Sequence, residues 1–243
     1  MDLSRMTRDE LEREATRRGV REVNHLTRAQ LIRAIETSDP AALLQAAHAL
    51  AEARGMVFSM MPKPFHNQPG SGMHLHVSMW SGWNAKRPDN AQCVFVPHRS
   101  DGSADREATL SATGRQFIAG VMAHSAALTA LVAPTINSYK RLRLGASLSG
   151  TTWSPPYLAQ GPNNRTAALR TLHGRFEWRL PDASANPYLA TAGLIAAGLD
   201  GITRQLDLPP DVDDDLFALS PAEVQARGIA LLPQHLGKAL DAL

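Results

Sequence analysis

Two short stretches of alternating polarity constrain this chain more than any other feature. From Met73 to Ser78, and again from Arg175 to Leu180, apolar and polar residues take turns. On a strand, successive side chains point to opposite sides. His74, His76 and Ser78 therefore share one face, with Met73, Leu75 and Val77 turned to a core. By the same rule Arg175, Glu177 and Arg179 share a face, and Phe176, Trp178 and Leu180 take the other. A fold that accepts both segments needs a sheet with one apolar side and one side dense in chemistry. Directly before the first segment lies Gly70-Ser71-Gly72, where backbone can come close to a ligand.

The charge pattern points the same way. Between Glu107 and Glu177 there is no Asp or Glu, yet the stretch holds Arg115, Lys140, Arg141, Arg143, Arg165, Arg170 and Arg175. Surfaces normally mix signs, so an external anion is a natural counter-charge here. Arginine offers a planar fork that suits phosphate and carboxylate. A carboxylate between two arginines, as at Glu177, stays ionised and can serve as a hard oxygen ligand for Mg²⁺. Paired histidines can hold a metal or a phosphate. Each cluster alone also fits a plainer role, a ladder of cross-strand ion pairs or a polar sheet face. Together they suit an acidic metal–nucleotide substrate.

Other readings are bounded by composition. With 44% hydrophobic residues the chain can build a core. A net charge of only +2 gives no general reason to expect a nucleic-acid partner. A single cysteine, Cys93, excludes an internal disulfide and a Cys-built zinc site. No apolar run reaches the roughly 18 residues of a membrane span, and the N-terminal residues lack a signal-peptide core. The expectation is a cytoplasmic protein without membrane contact.

Residues 1–37 read as a small helix–loop–helix module. Thr7 to Glu10 has the form of a capping box, the first helix stops near Gly19, and Thr27 caps a second helix with Leu31, Ile32 and Ile35 on its apolar side. No internal repeat is apparent. Ser38-Asp39-Pro40 is the expected boundary, and residues 41–243 form the main domain. There, helices are expected over 41–53, 108–133 and from Asn186-Pro187 to about Gln205. Strands are expected over 56–61, 73–80, 165–170 and 175–180, with a polar, loop-rich insert over 81–105. Strands and helices without regular alternation make the class α+β.

In their order, these residues carry a family resemblance. Pro62-Lys63-Pro64, Gly70-Ser71-Gly72-Met73-His74-Leu75-His76, Asn137-Ser138-Tyr139-Lys140-Arg141, Asn164-Arg165, Arg175 to Asp182 and Ala185-Asn186-Pro187-Tyr188-Leu189 resemble the motifs of the glutamine synthetase catalytic domain. The likeness runs over roughly residues 46–243 and leans toward the type III or γ-glutamylmethylamide synthetase branch through Ser149 to Trp153 and Gly161 to Thr166. Residues 1–37 more weakly resemble Rho N-terminal or SAP-like modules, so any nucleic-acid contact would run through them.

The resemblance implies an ATP-dependent carbon–nitrogen ligase that makes γ-glutamyl phosphate from L-glutamate and lets ammonia or a small amine displace phosphate. It implies Mg²⁺ or Mn²⁺ held by His74 and Glu177, and ATP contacts by His76, Val77, Ser78, Arg165, Arg170 and Arg175. Glutamate would be met by Gly70, Arg141 and Arg179, and Arg179 with Arg165 would act on the transferred phosphate. A homo-oligomer is implied once the remainder of the family's fold is supplied. Alternatives are a γ-glutamylmethylamide ligase and a non-catalytic nucleotide- or anion-binding relative.

The pattern also departs from the family. Upstream carboxylate ligands are missing, since Glu10, Glu12 and Glu14 fall on a helix where residues two apart do not face each other. Residues 1–37 stand where the family has a β-grasp domain, Leu142 to Gly161 holds no acid, Pro69 replaces the usual Asn, and the chain stops at Leu243. The expected protein is a catalytic domain truncated at both ends, binding Mg-ATP weakly with little or no ligase turnover and leaving an apolar sheet face or edge exposed.

Overall fold

The computed structural model describes residues 3–17, 23–37, 40–82, 91–98, 109–144 and 154–243. The expected stop at Gly19, the boundary residues Ser38 and Asp39, most of the 81–105 insert and the Ser149 to Trp153 motif lie outside these. The chain divides into two compact units, Met1–Ser59 and Met60–Leu243. Helix α3 (Pro40–Glu52) thus belongs to the first unit, beyond the expected boundary.

The first unit is built twice over. A 3-10 turn at Leu3–Arg5 and helix α1 (Arg8–Arg17) recur twenty residues later as Val23–His25 and α2 (Arg28–Thr37). Met6-Thr7-Arg8 is matched by Leu26-Thr27-Arg28, and Leu11 by Leu31. Leu11, Ala15, Leu31 and Ile35 form its fully buried core. Both helices start on the same device. Thr7 Oγ1 accepts from the Glu10 amide while Glu10 takes the Thr7 amide, and Thr27 and Gln30 repeat the exchange. Arg8 donates to the Asn24 carbonyl at 3.2 Å, and Arg28 donates to the Ser4 carbonyl at 2.6 Å, so each half caps the other reciprocally. The repeat is hard to read from sequence because only Thr7/Thr27, Arg8/Arg28, Leu11/Leu31 and Arg13/Arg33 are identical between the halves.

The second unit carries a four-stranded sheet in the order β1 (Leu75–Val77), β7 (Arg175–Trp178), β6 (Leu169–Leu172) and β5 (Gln160–Pro162). All neighbours are antiparallel except β5 and β6. Register sets the two faces. Leu75, Trp178, Leu169 and Gln160 stand in one row, and His76, Glu177, Arg170 and Gly161 in the next. The first row looks into the main core. There Phe95, Phe117 and Phe176 stack with ring centroids 5.4 to 6.4 Å apart. Helices α4 (Ala112–Ala123), α5 (Ser125–Val132) and α6 (Pro187–Thr203) cover that side. Short pairs β2 (Trp80–Ser81) with β3 (Gln92–Cys93), and β4 (Tyr157–Leu158) with β8 (Ala230–Leu231), flank it, and α7 (Pro221–Ala226) and α8 (Leu236–Asp241) complete the unit. The class is α+β, as read from the sequence.

Three expected elements differ. Residues 56–61 form no strand, and Val57 is 91% exposed. An apolar run becomes a strand only within a ladder, and this one belongs to none of the sheets among the described residues. The expected single helix over 108–133 breaks at His124, whose φ of −98° and ψ of 4° leave helical geometry as its ring bonds Asp200 of α6 at 2.8 Å. Strand β6 begins at Leu169 rather than 165 because Asn164 holds a turn. Its Oδ1 accepts from the Thr166 amide and hydroxyl, and its Nδ2 donates to the Val212 and Asp214 carbonyls.

Candidate functional site

Glu177 is the hub of the sheet's open face. It is 4% exposed. Its Oε1 accepts from Arg179 Nη1 at 2.7 Å and lies 2.9 Å from His74 Nδ1, while Oε2 accepts from Arg170 Nη1 at 3.0 Å. Burial alone would raise the Glu177 carboxyl, but the Arg170 hydrogen bond and the Arg179 charge outweigh it and hold it below the ordinary glutamate value. Burial lowers His74, with the Arg179 charge adding to it, so the imidazole is neutral at neutral pH. A neutral ring beside an ionised carboxylate must carry its proton on Nδ1, which leaves Nε2 as the lone-pair nitrogen. That nitrogen faces the glycine loop, for a Cβ at Gly72 would stand 3.2 Å from it.

The glycine loop fits tightly against the next cation. A Cβ on Gly70 would meet the Pro62 carbonyl oxygen at 2.6 Å and Arg141 Cγ at 3.0 Å, and one on Gly72 would meet Arg141 Nη2 at 3.1 Å. A side chain at Gly70 would clash with the Pro62 backbone, and one at either glycine would press against Arg141. Arg141 itself is 4% exposed and lies 3.7 Å from Asp182 Oδ2, too long for a hydrogen bond. Asp182 is fully buried, and its Oδ2 has no hydrogen-bond partner. Its other oxygen accepts from the Ser184 amide and hydroxyl. Gly72 forms a β-bridge with Asp182, so the loop, Arg141 and the end of β7 are braced as one body.

The structure brings His74, His76, Glu177, Arg170, Arg179, Arg141 and Gly70 to one face and its margin. Arg175 shares the parity of Glu177 and is exposed. Arg165 is exposed on the turn between β5 and β6, near enough for its charge to act on Arg179. Val77 is different. Its side chain turns to the core, so only its backbone is available for the nucleotide contact expected of it. The Ser78 hydroxyl accepts from Trp80 Nε1 at 2.9 Å.

Sequence reasoning gave no role to Asp182, Lys63 or Asn137. Lys63 is 3% exposed, and its ammonium donates to the Gln68 carbonyl. Burial lowers it first, then the charges of Arg143 and Arg141. Asn137 clamps the Lys63 backbone, accepting from its amide at 2.6 Å and donating to its carbonyl at 3.0 Å. The available signal was their place in the motifs Pro62-Lys63-Pro64, Asn137 to Arg141 and Arg175 to Asp182.

The donors present do not make a complete metal site. His74 and Glu177 are hydrogen-bonded to each other, and both oxygens of Glu177 already face guanidinium groups. Among the described residues no group of three or more His, Cys, Asp or Glu could hold a metal ion. Mg²⁺ takes six oxygen-rich ligands and gives up water reluctantly. What the face offers on its own is a cradle of guanidinium groups around one ionised carboxylate, suited to a polyanion.

Comparison with known proteins decides the lineage. Residues 5–243 match the family model of the glutamine synthetase catalytic domain. The chain belongs to the glutamine synthetase family. This glutamine synthetase-family chain is 46% identical over 194 residues to the glutamate–methylamine ligase of Methyloversatilis universalis, covering 80% of this chain and 41% of that one. It is 39% identical over 200 residues to the glutamine synthetase of Thermococcus kodakarensis, covering 80% and 40%. A solved structure of a GmaS/ADP complex superimposes with a TM-score of 0.68 at 38% identity, covering 86% of this chain and 45% of that one. The chain thus spans about two fifths of the length of the curated relatives it matches.

Proposed function

We propose that the second unit carries the substrate-binding face of an ATP-dependent γ-glutamyl ligase, taking glutamate and ammonia or methylamine through γ-glutamyl phosphate. The observation that carries this reading is the convergence of His74, Arg170 and Arg179 on buried Glu177 within 3.0 Å, beside Arg141 and the glycine loop. Phosphoryl transfer gains chiefly from positioning and from cations aimed at developing negative charge. Arg170, Arg175 and Arg165 would take the phosphates, with His76, Ser78 and the Val77 backbone toward the nucleotide. Gly70 and Arg141 would hold glutamate, and Arg179, reaching both, would steady the transferred group. The relative named for methylamine favours a small amine as acceptor alongside ammonia.

His74 and Glu177 would give a divalent cation, Mg²⁺ or Mn²⁺, two of its donors. Two are too few, so we expect ATP binding with turnover near background from this chain. That no third donor joins them among the described residues favours a second reading, a non-catalytic nucleotide-binding relative. Residues 1–37 as a separate module, a homo-oligomeric assembly and a cytoplasmic setting belong to the same proposal. Among the described residues no helix is long and apolar enough to cross a membrane.

The test is incubation with ATP, a divalent cation, glutamate and either ammonium or methylamine. Bound nucleotide is followed by calorimetry and γ-glutamyl product by mass spectrometry. ATP binding that glutamate strengthens, with trace product lost in Arg179→Ala, supports the ligase reading. ATP binding with no product under any amine supports the non-catalytic one. No ATP binding at millimolar concentration refutes both.

A further inference from the structure

The side of the sheet away from Glu177 has its own opening. Gln160 on β5 stands in the row of Leu169, Trp178 and Leu75, which faces the helices. It lines a cavity of about 580 Å³, walled by Met122, Leu158, Leu206, Val212 and Ile229. This volume is in the range of small-molecule sites, roughly 300–1,000 Å³.

Polarity sets the ligand class. Gln160 is 1% exposed, and its Nε2 donates to the Pro209 carbonyl and to Asp211 Oδ1, each at 2.7 Å. Two acceptors on one nitrogen fix the orientation of the amide. Its Oε1 is closed off from the cavity, so what this side chain contributes there is the placement of the Asp211 carboxylate it holds. Asp207, Asp211 and Asp214 also line the cavity, and Arg227, the one cation among the described lining residues, is paired with Asp214. The polar groups on offer are acceptors and carboxylates around an apolar wall. An apolar body with a positive, hydrogen-donating end satisfies both.

We propose that this cavity is a second binding site, for an organic ammonium ion with an apolar tail. Its preference is opposite in sign to that of the guanidinium-lined face. It does not rest on the ligase reading, since no residue is shared between the two.

The test uses three probes of one skeleton, 3-phenylpropylamine, 3-phenylpropanol and 3-phenylpropanoate, titrated into the full chain by ligand-observed NMR. The ammonium should bind about ten-fold more tightly than the alcohol, with the carboxylate weakest, as charge-assisted hydrogen bonds require. Asp207→Asn should narrow the preference for the ammonium several-fold. Ala230→Trp, and independently Ala123→Trp, should fill the cavity and abolish amine binding while ATP binding is unchanged; circular dichroism identifies the filled variant that keeps its fold. No amine binding at millimolar concentration, equal affinity for all three probes, or full binding in a folded, filled variant would overturn the proposal.

Discussion

At the scale of single residues the molecule turns on Glu177. Replacing it with glutamine would leave Arg179 and Arg170 facing a neutral amide in a site almost closed to water. Breaking a buried pair in this way costs about 3–5 kcal/mol. Glu177→Gln should therefore lower the denaturation midpoint of the second unit markedly at pH 7. The pH dependence has a definite sign. The folded carboxyl is held below its ordinary value of 4.5. Its stabilisation is then complete above that value and is lost as pH falls through the lowered one. The gap between wild type and Glu177→Gln should be widest at neutral pH and close in acid, as chemical denaturation at a series of pH values will show. Asp182→Asn makes a companion case. It keeps an oxygen for Ser184 but removes the only carboxylate paired with buried Arg141 among the described residues. It should cost about 3 kcal/mol, read by the same denaturation series.

Elements are held by close approach. Helices α4 and α6 cross at glycine, where a Cβ on Gly120 would lie 2.1 Å from the Ala197 carbonyl oxygen and one on Gly201 would lie 2.2 Å from that of Gln116. These contacts are with backbone and cannot yield by a rotamer change. Gly120→Ala or Gly201→Ala should force the helices apart and cost at least about 1–3 kcal/mol. By contrast, the α6 start depends on one side chain. Asn186 Oδ1 accepts from the Tyr188 and Leu189 amides, so Asn186→Ala should cost about 1 kcal/mol. Thermal melts of the three variants should rank them in that order.

What could be read in advance follows the same division. The α6 start was legible because its cap and proline are local, and the Glu177 face because parity along a strand is local too. The 56–61 strand failed because apolar character does not say whether a partner strand exists. The single helix over 108–133 failed at His124, whose partner Asp200 is far away in sequence. Asp182 and Lys63 were legible as motif letters only, since their burial against Arg141 and the glycine loop depends on how four segments meet.

On the scale of the whole molecule, two units serve different ends. The first joins a duplicated helical pair with a small core to helix α3. The second devotes one sheet face to packing and leaves the other polar. Apolar groups do lie open in it, among them Phe65 at 66% and Ile136 at 79% in loops, and Tyr188, Leu189, Ile195 and Leu199 along α6. The claim beneath the ligase reading is that this polar face receives a nucleotide. The direct measurement is an ATP titration, with a divalent cation present, followed by backbone amide NMR on the full chain. It should be repeated on the double variant Arg165→Ala, Arg175→Ala, which alters only exposed cations. Shifts centred on residues 74–78, 165–170 and 175–179, with affinity falling about ten-fold or more in the variant, are the predicted result. Shifts confined to the first unit or to the cavity behind β5, or an affinity indifferent to both arginines, would contradict it.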